Sequence, residues 1–162
     1  MKGARVMVLF AAALVVASLP LAAAEEEEER GEFDSWYAGA SATLVLPQGG
    51  HSMRRLGGAT ARIGYYFTET LSVEADAAWL EDCAGLGVQG LWHIYGYERF
   101  DPFLTFGARG WIDGDVGPTA GAGAFYHLTD SWSLRADAQA TLGLDGDCAM
   151  VYSLGVGVQC SF

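Results

Sequence analysis

From Ser35 onward, apolar and polar residues alternate with a period of two. Over residues 71–80, Leu71, Val73, Ala75, Ala77 and Trp79 fall on one side and Ser72, Glu74, Asp76, Ala78 and Leu80 on the other. Over residues 132–142, Trp132, Leu134, Ala136, Ala138, Ala140 and Leu142 oppose Ser133, Arg135, Asp137, Gln139 and Thr141. Residues 152–162 repeat the pattern, with Tyr152, Leu154, Val156, Val158, Cys160 and Phe162 against Ser153, Gly155, Gly157, Gln159 and Ser161. Successive side chains of a strand point to opposite faces, so each segment is predicted as a strand with one apolar side. Weaker versions cover 36–46, 58–67, 86–97, 103–112 and 119–128. Eight strands result.

The breaks between them alternate in kind. Thr68-Glu69-Thr70 and Thr129-Asp130-Ser131 read as tight turns, and 98–102 as a slightly longer one. The breaks at 47–55, 81–85, 113–118 and 143–150 are mostly longer and rich in Gly and Asp. This rhythm predicts an up-and-down antiparallel meander. An even strand number lets the meander close and leaves no free edge. No run from Ser35 to Phe162 holds 18 consecutive apolar residues, which excludes a membrane-spanning helix.

An alternating barrel is apolar either inside, holding a ligand, or outside, facing lipid. The polar face discriminates. Its charged strand positions are Arg62, Arg109 and Arg135 against Glu74, Asp76 and Asp137, three of each sign, although the whole chain carries a formal net charge of −11. Buried charges must be paired, whereas solvated ones need no balance. Much of the rest of that face is small: Gly39, Ser41, Gly64, Gly87, Gly107, Gly121, Gly123, Gly155 and Gly157. Small residues beside long arginines suit the filled lumen of an eight-stranded barrel. The apolar face carries Trp36, Phe67, Trp79, Tyr126, Trp132, Tyr152 and Phe162 near strand ends, as aromatic belts at two lipid interfaces would. Trp92 falls mid-strand in this reading and does not fit a belt. The predicted fold is an all-β, eight-stranded antiparallel up-and-down transmembrane β-barrel.

Composition adds the compartment. Lys2 and Arg5, an apolar run from Val6 to Leu19, Pro20 and the small Ala22-Ala23-Ala24 form the layout of a secretory signal peptide over 1–24, cleaved after Ala24. Without that segment no Lys remains, and seven arginines face 20 acidic residues. Such a chain has no basic patch for phosphates, so nucleic acid is not an expected partner. Glu25 to Glu29 repel one another and have no apolar face, so 25–34 reads as a solvated acidic tail on the periplasmic side. The barrel then occupies 35–162.

The chain resembles the small eight-stranded outer-membrane β-barrel proteins of Gram-negative bacteria, the group of the OmpA membrane domain and OmpX. The resemblance rests on Ser35-Trp36-Tyr37-Ala38-Gly39-Ala40, on 101–110 (DPFLTFGARG), on 121–128 (GAGAFYHL), on 130–135 (DSWSLR) and on the final strand with its terminal Phe162. It implies an outer-membrane location with membrane lipids as surroundings. A terminal aromatic such as Phe162 is then the signal read by the outer-membrane assembly machinery, and the longer loops face outside the cell. The expected form is a monomer with a side-chain-filled lumen and a structural or surface-exposed role. A narrow-pore channel and a surface adhesin or ligand-binding barrel are the alternatives.

Candidate chemistry is sparse. Some barrels of this kind hydrolyse lipid A with His, Ser and an acid. Here His127 is followed by Leu128 and Thr129 and not by a Ser on the same face, while His51 and His93 stand elsewhere, so no enzyme is expected and the inward histidines read as hydrogen-bonded fillers. Asp113, Asp115, Asp145 and Asp147 form two Asp-Gly-Asp units in loops. Carboxylates of this sort are weak candidates for a divalent cation, but Asp-Gly is ordinary turn chemistry, so neither metal nor cofactor is expected. Cys83 and Cys148 lie in loops on the same side, and export makes a disulfide between them the natural pairing, with Cys160 left as a small apolar residue on the lipid-facing side.

Overall fold

Eight strands carry the alternation in the computed structural model, which describes residues 35–48, 56–81, 83–94, 99–112, 116–143 and 150–162. They are β1 (Trp36–Gln48), β2 (Leu56–Thr68), β3 (Leu71–Leu80), β4 (Ala84–His93), β5 (Phe100–Trp111), β6 (Val116–His127), β7 (Trp132–Leu142) and β8 (Met150–Ser161). Every strand pairs antiparallel with its sequence neighbour, and β8 pairs with β1, which closes the barrel. Trp36 pairs with Tyr65, and the ladder continues through Val73, Gly90, Phe106, Ala120, Ala140 and Tyr152 to Leu46. The circuit returns ten residues further along β1, and a stagger of this kind tilts the strands by about 35–45° to the barrel axis.

The two ends of the barrel differ. Ser35, Phe162 and the connections after β2, β4 and β6 lie at one end, called the turn end here; the connections after β1, β3, β5 and β7 lie at the loop end. The turns after β2 and β6 are tied locally: Thr68 Oγ1 accepts the Thr70 N–H at 3.2 Å, and Thr129 Oγ1 accepts the Trp132 N–H at 3.0 Å. Trp36 and Phe162 exchange two backbone hydrogen bonds, 3.1 and 2.8 Å, that complete the seam between first and last strands.

The outward face is a continuous apolar surface. Leu86, Val88, Phe106, Val156 and their neighbours stand exposed on it, far more contiguous apolar area than a water-soluble surface tolerates. Trp36, Phe67, Phe100, Tyr126 and Trp132 ring the turn end of that face. Trp92 belongs to the same ring, which corrects its mid-strand assignment. The alternation continues through Tyr97, but β4 ends at His93, so Trp92 pairs with Leu71 and Leu104 at the turn end. The chain can leave the ladder there because Pro102 on β5 has no N–H to offer; its carbonyl instead takes the Ile94 N–H at 2.8 Å.

The inward face closes the barrel on itself. At Gly64 a Cβ would collide with the Tyr37 ring. Glycine is required there so that an aromatic from one strand can lie flat against the next.

Candidate functional site

The lumen is stacked in tiers, read along the inward positions of each strand from turn end to loop end. Near the turn end the lumen holds Tyr37, Ser72, His93 and Asp101. His93 Nδ1 is 2.7 Å from Asp101 Oδ2, and its Nε2 is 3.0 Å from Ser72 Oγ. The His93 ring stacks on Phe125 with centroids 5.9 Å apart and an interplanar angle of 17°. It also faces Tyr66 at 5.2 Å. His127, a step nearer the turn end, pairs through Nδ1 with Ser133 Oγ at 2.8 Å. Both inward histidines therefore have hydrogen-bond partners on neighbouring strands.

Above them, in the turn-end half of the lumen, Leu91, Phe103 and Phe125 form a buried apolar cluster. Phe103 and Phe125 lie 4.7 Å apart between centroids. The Arg135 guanidinium lies over both rings, 5.0 and 5.3 Å from their centroids. A cation over aromatic faces is attracted by the ring quadrupole, more strongly when both are out of water.

The next tier is ionic. Arg135 bridges Glu74 and Asp137, the latter at 2.9 Å from Nε. Arg62 reaches the same two carboxylates at 3.4 and 3.3 Å. Gln89 Nε2 donates to Glu74 Oε1 at 2.7 Å, and the Tyr37 hydroxyl donates to Oε2 at 3.2 Å. Glu74 is wholly inaccessible; it accepts hydrogen bonds from β1, β4 and β7 and forms an ion pair with Arg62 of β2. One buried carboxylate thus ties four strands together across the barrel. Its charge, with that of Asp137, balances two guanidiniums, as burial demands.

Nearer the loop end, Arg109 pairs with Asp76 at 2.8 Å, separately from the central cluster. Gly87 lies beneath this pair; a Cβ there would be 2.5 Å from Asp76 Oδ2. Thr43–Thr60 and Thr119–Thr141 hydroxyl pairs, at 2.7 and 3.2 Å, line the wall around it. Several buried polar atoms in these upper tiers have no hydrogen-bond partner within the protein, among them Asp76 Oδ2, Thr105 Oγ1, Arg109 Nε and both ends of the Gln139 amide.

The structure brings the six charged residues singled out from the sequence into the lumen, four in one cluster and Arg109–Asp76 apart. The pattern did not single out Leu91, Phe103 and Phe125 as a plug. Their inward parity, shared with Gln89, Thr105 and Gly123, was the available signal. It also missed Ser72 and Asp101 as partners of His93, because neither neighbours it in sequence.

Ser72, His93 and Asp101 follow the hydrogen-bond order of a hydrolase triad, but Ser72 is completely buried against Tyr37, with Oγ 3.5 Å from the hydroxyl. A nucleophile needs an open face towards substrate, and this oxygen has none. Among the described residues no group of three or more His, Cys, Asp or Glu is arranged to hold a metal ion. Asp113, Asp115, Asp145, Asp147, Cys148 and His51 lie outside the described residues. The Cys83–Cys148 pairing therefore falls partly outside them. Cys160 is buried at the seam, paired with Ala38 across the β1–β8 ladder.

A family model described as "Outer membrane protein beta-barrel domain" matches residues 9–162. No curated protein matches the sequence. Among solved structures, the N-terminal β-barrel domain of Pseudomonas aeruginosa OprF is similar with a TM-score of 0.60 and 17% identity, over 78% of this chain and 97% of that one. Ail, the attachment invasion locus protein of Yersinia pestis, has a TM-score of 0.63 at 12% identity, over 80% and 99%. OprG from Pseudomonas aeruginosa has a TM-score of 0.60 at 10% identity, over 83% and 99%. Likeness at such identities speaks for the fold.

Proposed function

The chain belongs to the outer membrane protein β-barrel domain family, and on that footing we propose that it is a closed barrel of the Gram-negative outer membrane, structural or surface-exposed in role rather than conductive. The observation that carries this reading is the lumen: the ionic cluster of Arg62, Glu74, Arg135 and Asp137 lies directly on the Leu91–Phe103–Phe125 plug. A hydrated ion entering from either side meets buried, mutually paired charges or an apolar plug. Neither offers replacement ligands for its water shell, as a selective pore must.

In this reading residues 1–24 direct export, 25–34 form an acidic periplasmic tail, and the barrel from residue 35 is inserted as a monomer by the outer-membrane assembly machinery through the strand that ends at Phe162. The turn end faces the periplasm and the loops face outward. Lipid covers the apolar exterior. Planar-bilayer recording tests the role. The expected trace for the refolded barrel shows no unitary current steps, and reproducible steps of one size would replace this reading with a narrow channel.

A further inference from the structure

A chain of hydrogen-bonding groups runs from the turn-end mouth into the ionic cluster. Asp101 is at the mouth, its side chain 21% accessible. From it the contacts lead to His93 at 2.7 Å, Ser72 at 3.0 Å, Tyr37 at 3.5 Å and Glu74 at 3.2 Å. All five side chains lie on the inward face; Asp101 is the most open to solvent, His93 is nearly closed, and Ser72, Tyr37 and Glu74 are wholly buried.

The donor inventory of these groups makes the chain directional. Asp101, when ionised, only accepts, so His93 Nδ1 carries a proton whether the ring is neutral or charged. In the neutral ring Nε2 has only a lone pair and must accept the Ser72 O–H. Ser72 can then offer Tyr37 nothing but a lone pair, and it competes with Glu74 for the single Tyr37 proton. In the charged ring Nε2 donates to Ser72 Oγ, the Ser72 proton turns to the Tyr37 oxygen, and the Tyr37 proton is committed to Glu74. One proton gained at His93 reverses the Ser72 bond and fixes the Tyr37 bond, with no atom of the backbone displaced.

We propose that Asp101, His93, Ser72 and Tyr37 form a proton-sensing relay that reports the acidity at the turn-end mouth to Glu74 in the centre of the lumen. The groups around His93 support a switch of this kind. β2 presents Tyr66, whose hydroxyl takes the Gln159 amide at 3.4 Å. β3 presents Ser72, β5 presents Asp101 and Phe103, and β6 presents Phe125. Among the described residues Asp101 is the one charged group paired with the ring; Arg135 and Glu74 lie beyond the two phenylalanines and Tyr37. Histidine ordinarily changes charge between about pH 5 and 8, above the range in which a typical Asp titrates.

The Gln89 side-chain amide, which donates to Glu74 Oε1 at 2.7 Å, is a reporter inside the cluster. In the refolded full chain, NMR should show the Gln89 amide resonances moving with the same midpoint as the His93 ring nitrogens. His93→Gln should abolish that movement and His127→Gln should leave it intact. In Tyr37→Phe and Ser72→Ala the His93 ring should still titrate while the Gln89 amide stays flat. A Gln89 response equal to wild type in both of these variants would overturn the relay, as would a flat Gln89 amide in the wild type while His93 titrates, or a His93 ring that keeps one charge state from pH 5 to 8.

Discussion

The lower and upper parts of the lumen close the same barrel by different physics. At the turn end, Leu91, Phe103, Phe125 and the stacked His93 ring fill space with apolar contacts, and both ring nitrogens of His93 have hydrogen-bond partners. From Glu74 upward the filling is charged. There the unpartnered atoms collect: Gln89 Oε1, Thr105 Oγ1, Arg109 Nε and the Gln139 amide. Arg62 Nε belongs with them, since it lies 3.4 Å from Glu74 Oε1 as an ion pair without the alignment of a hydrogen bond. The lower tier depends on shape and dispersion, which act between any well-packed apolar groups. The upper tier depends on pairing, where loss of one partner leaves a charge stranded out of water.

That contrast ranks the substitutions that should disturb the barrel. Glu74→Ala removes the shared partner of two buried guanidiniums, and its expected cost in a reversible unfolding titration is about 4–5 kcal/mol, at the upper end for breaking a buried pair. Replacing Arg62, Glu74, Arg135 and Asp137 together by apolar residues of similar volume should recover most of that loss, because no charge is then left unpaired. Failure of the fourfold variant to recover would place the stabilisation in the ion pairs themselves.

Phe103→Ala follows, at about 3 kcal/mol from lost contacts and the cavity left behind. Part of its effect should pass through Arg135, which loses one of its two ring faces. A double-mutant cycle of Phe103→Ala with Arg135→Met should give a coupling of about 0.5–2 kcal/mol if the cation–ring contact contributes.

Gln139→Leu is the smallest. It removes two buried polar atoms that have no protein partner, so the folded state should change by less than about 1 kcal/mol and in the stabilising direction. A loss of about 2 kcal/mol or more would mean that the amide is well partnered and that the upper tier is as complete as the lower one.

How much of this the residues reveal in advance differs between the two tiers in the same way. Strands β3 and β7 are legible to the residue, since every position from Leu71 to Leu80 and from Trp132 to Leu142 alternates between a lipid-facing and an inward side chain. β4 is not. Ala84 and Gly85 read as part of the loop at 81–85, while Ile94 to Tyr97 prolong the alternation past the true end at His93. The ladder, and not the pattern, decides that end, because Pro102 supplies a carbonyl and no N–H. The ionic tier was legible because a charged residue on a half-apolar strand stands out. The aromatic tier was not: Leu91, Phe103 and Phe125 are the same residue types that face lipid, and only their register distinguishes inside from outside.

The His93 relay lay further out of reach. Ser72 and Asp101 meet His93 diagonally across two ladders, so their pairing depends on the register of three strands and on where β4 and β5 begin and end. A period of two identifies faces. It carries no information on how far one strand slides against the next.

Single-channel recording across planar bilayers tests the double closure most directly, with wild type, Glu74→Ala, Phe103→Ala/Phe125→Ala and the combination of all three compared under one voltage protocol. If each tier closes the lumen by itself, wild type and both partial variants are silent and only the combined variant passes unitary current. Unitary current from the wild type, or from Glu74→Ala alone, would contradict closure by two independent tiers.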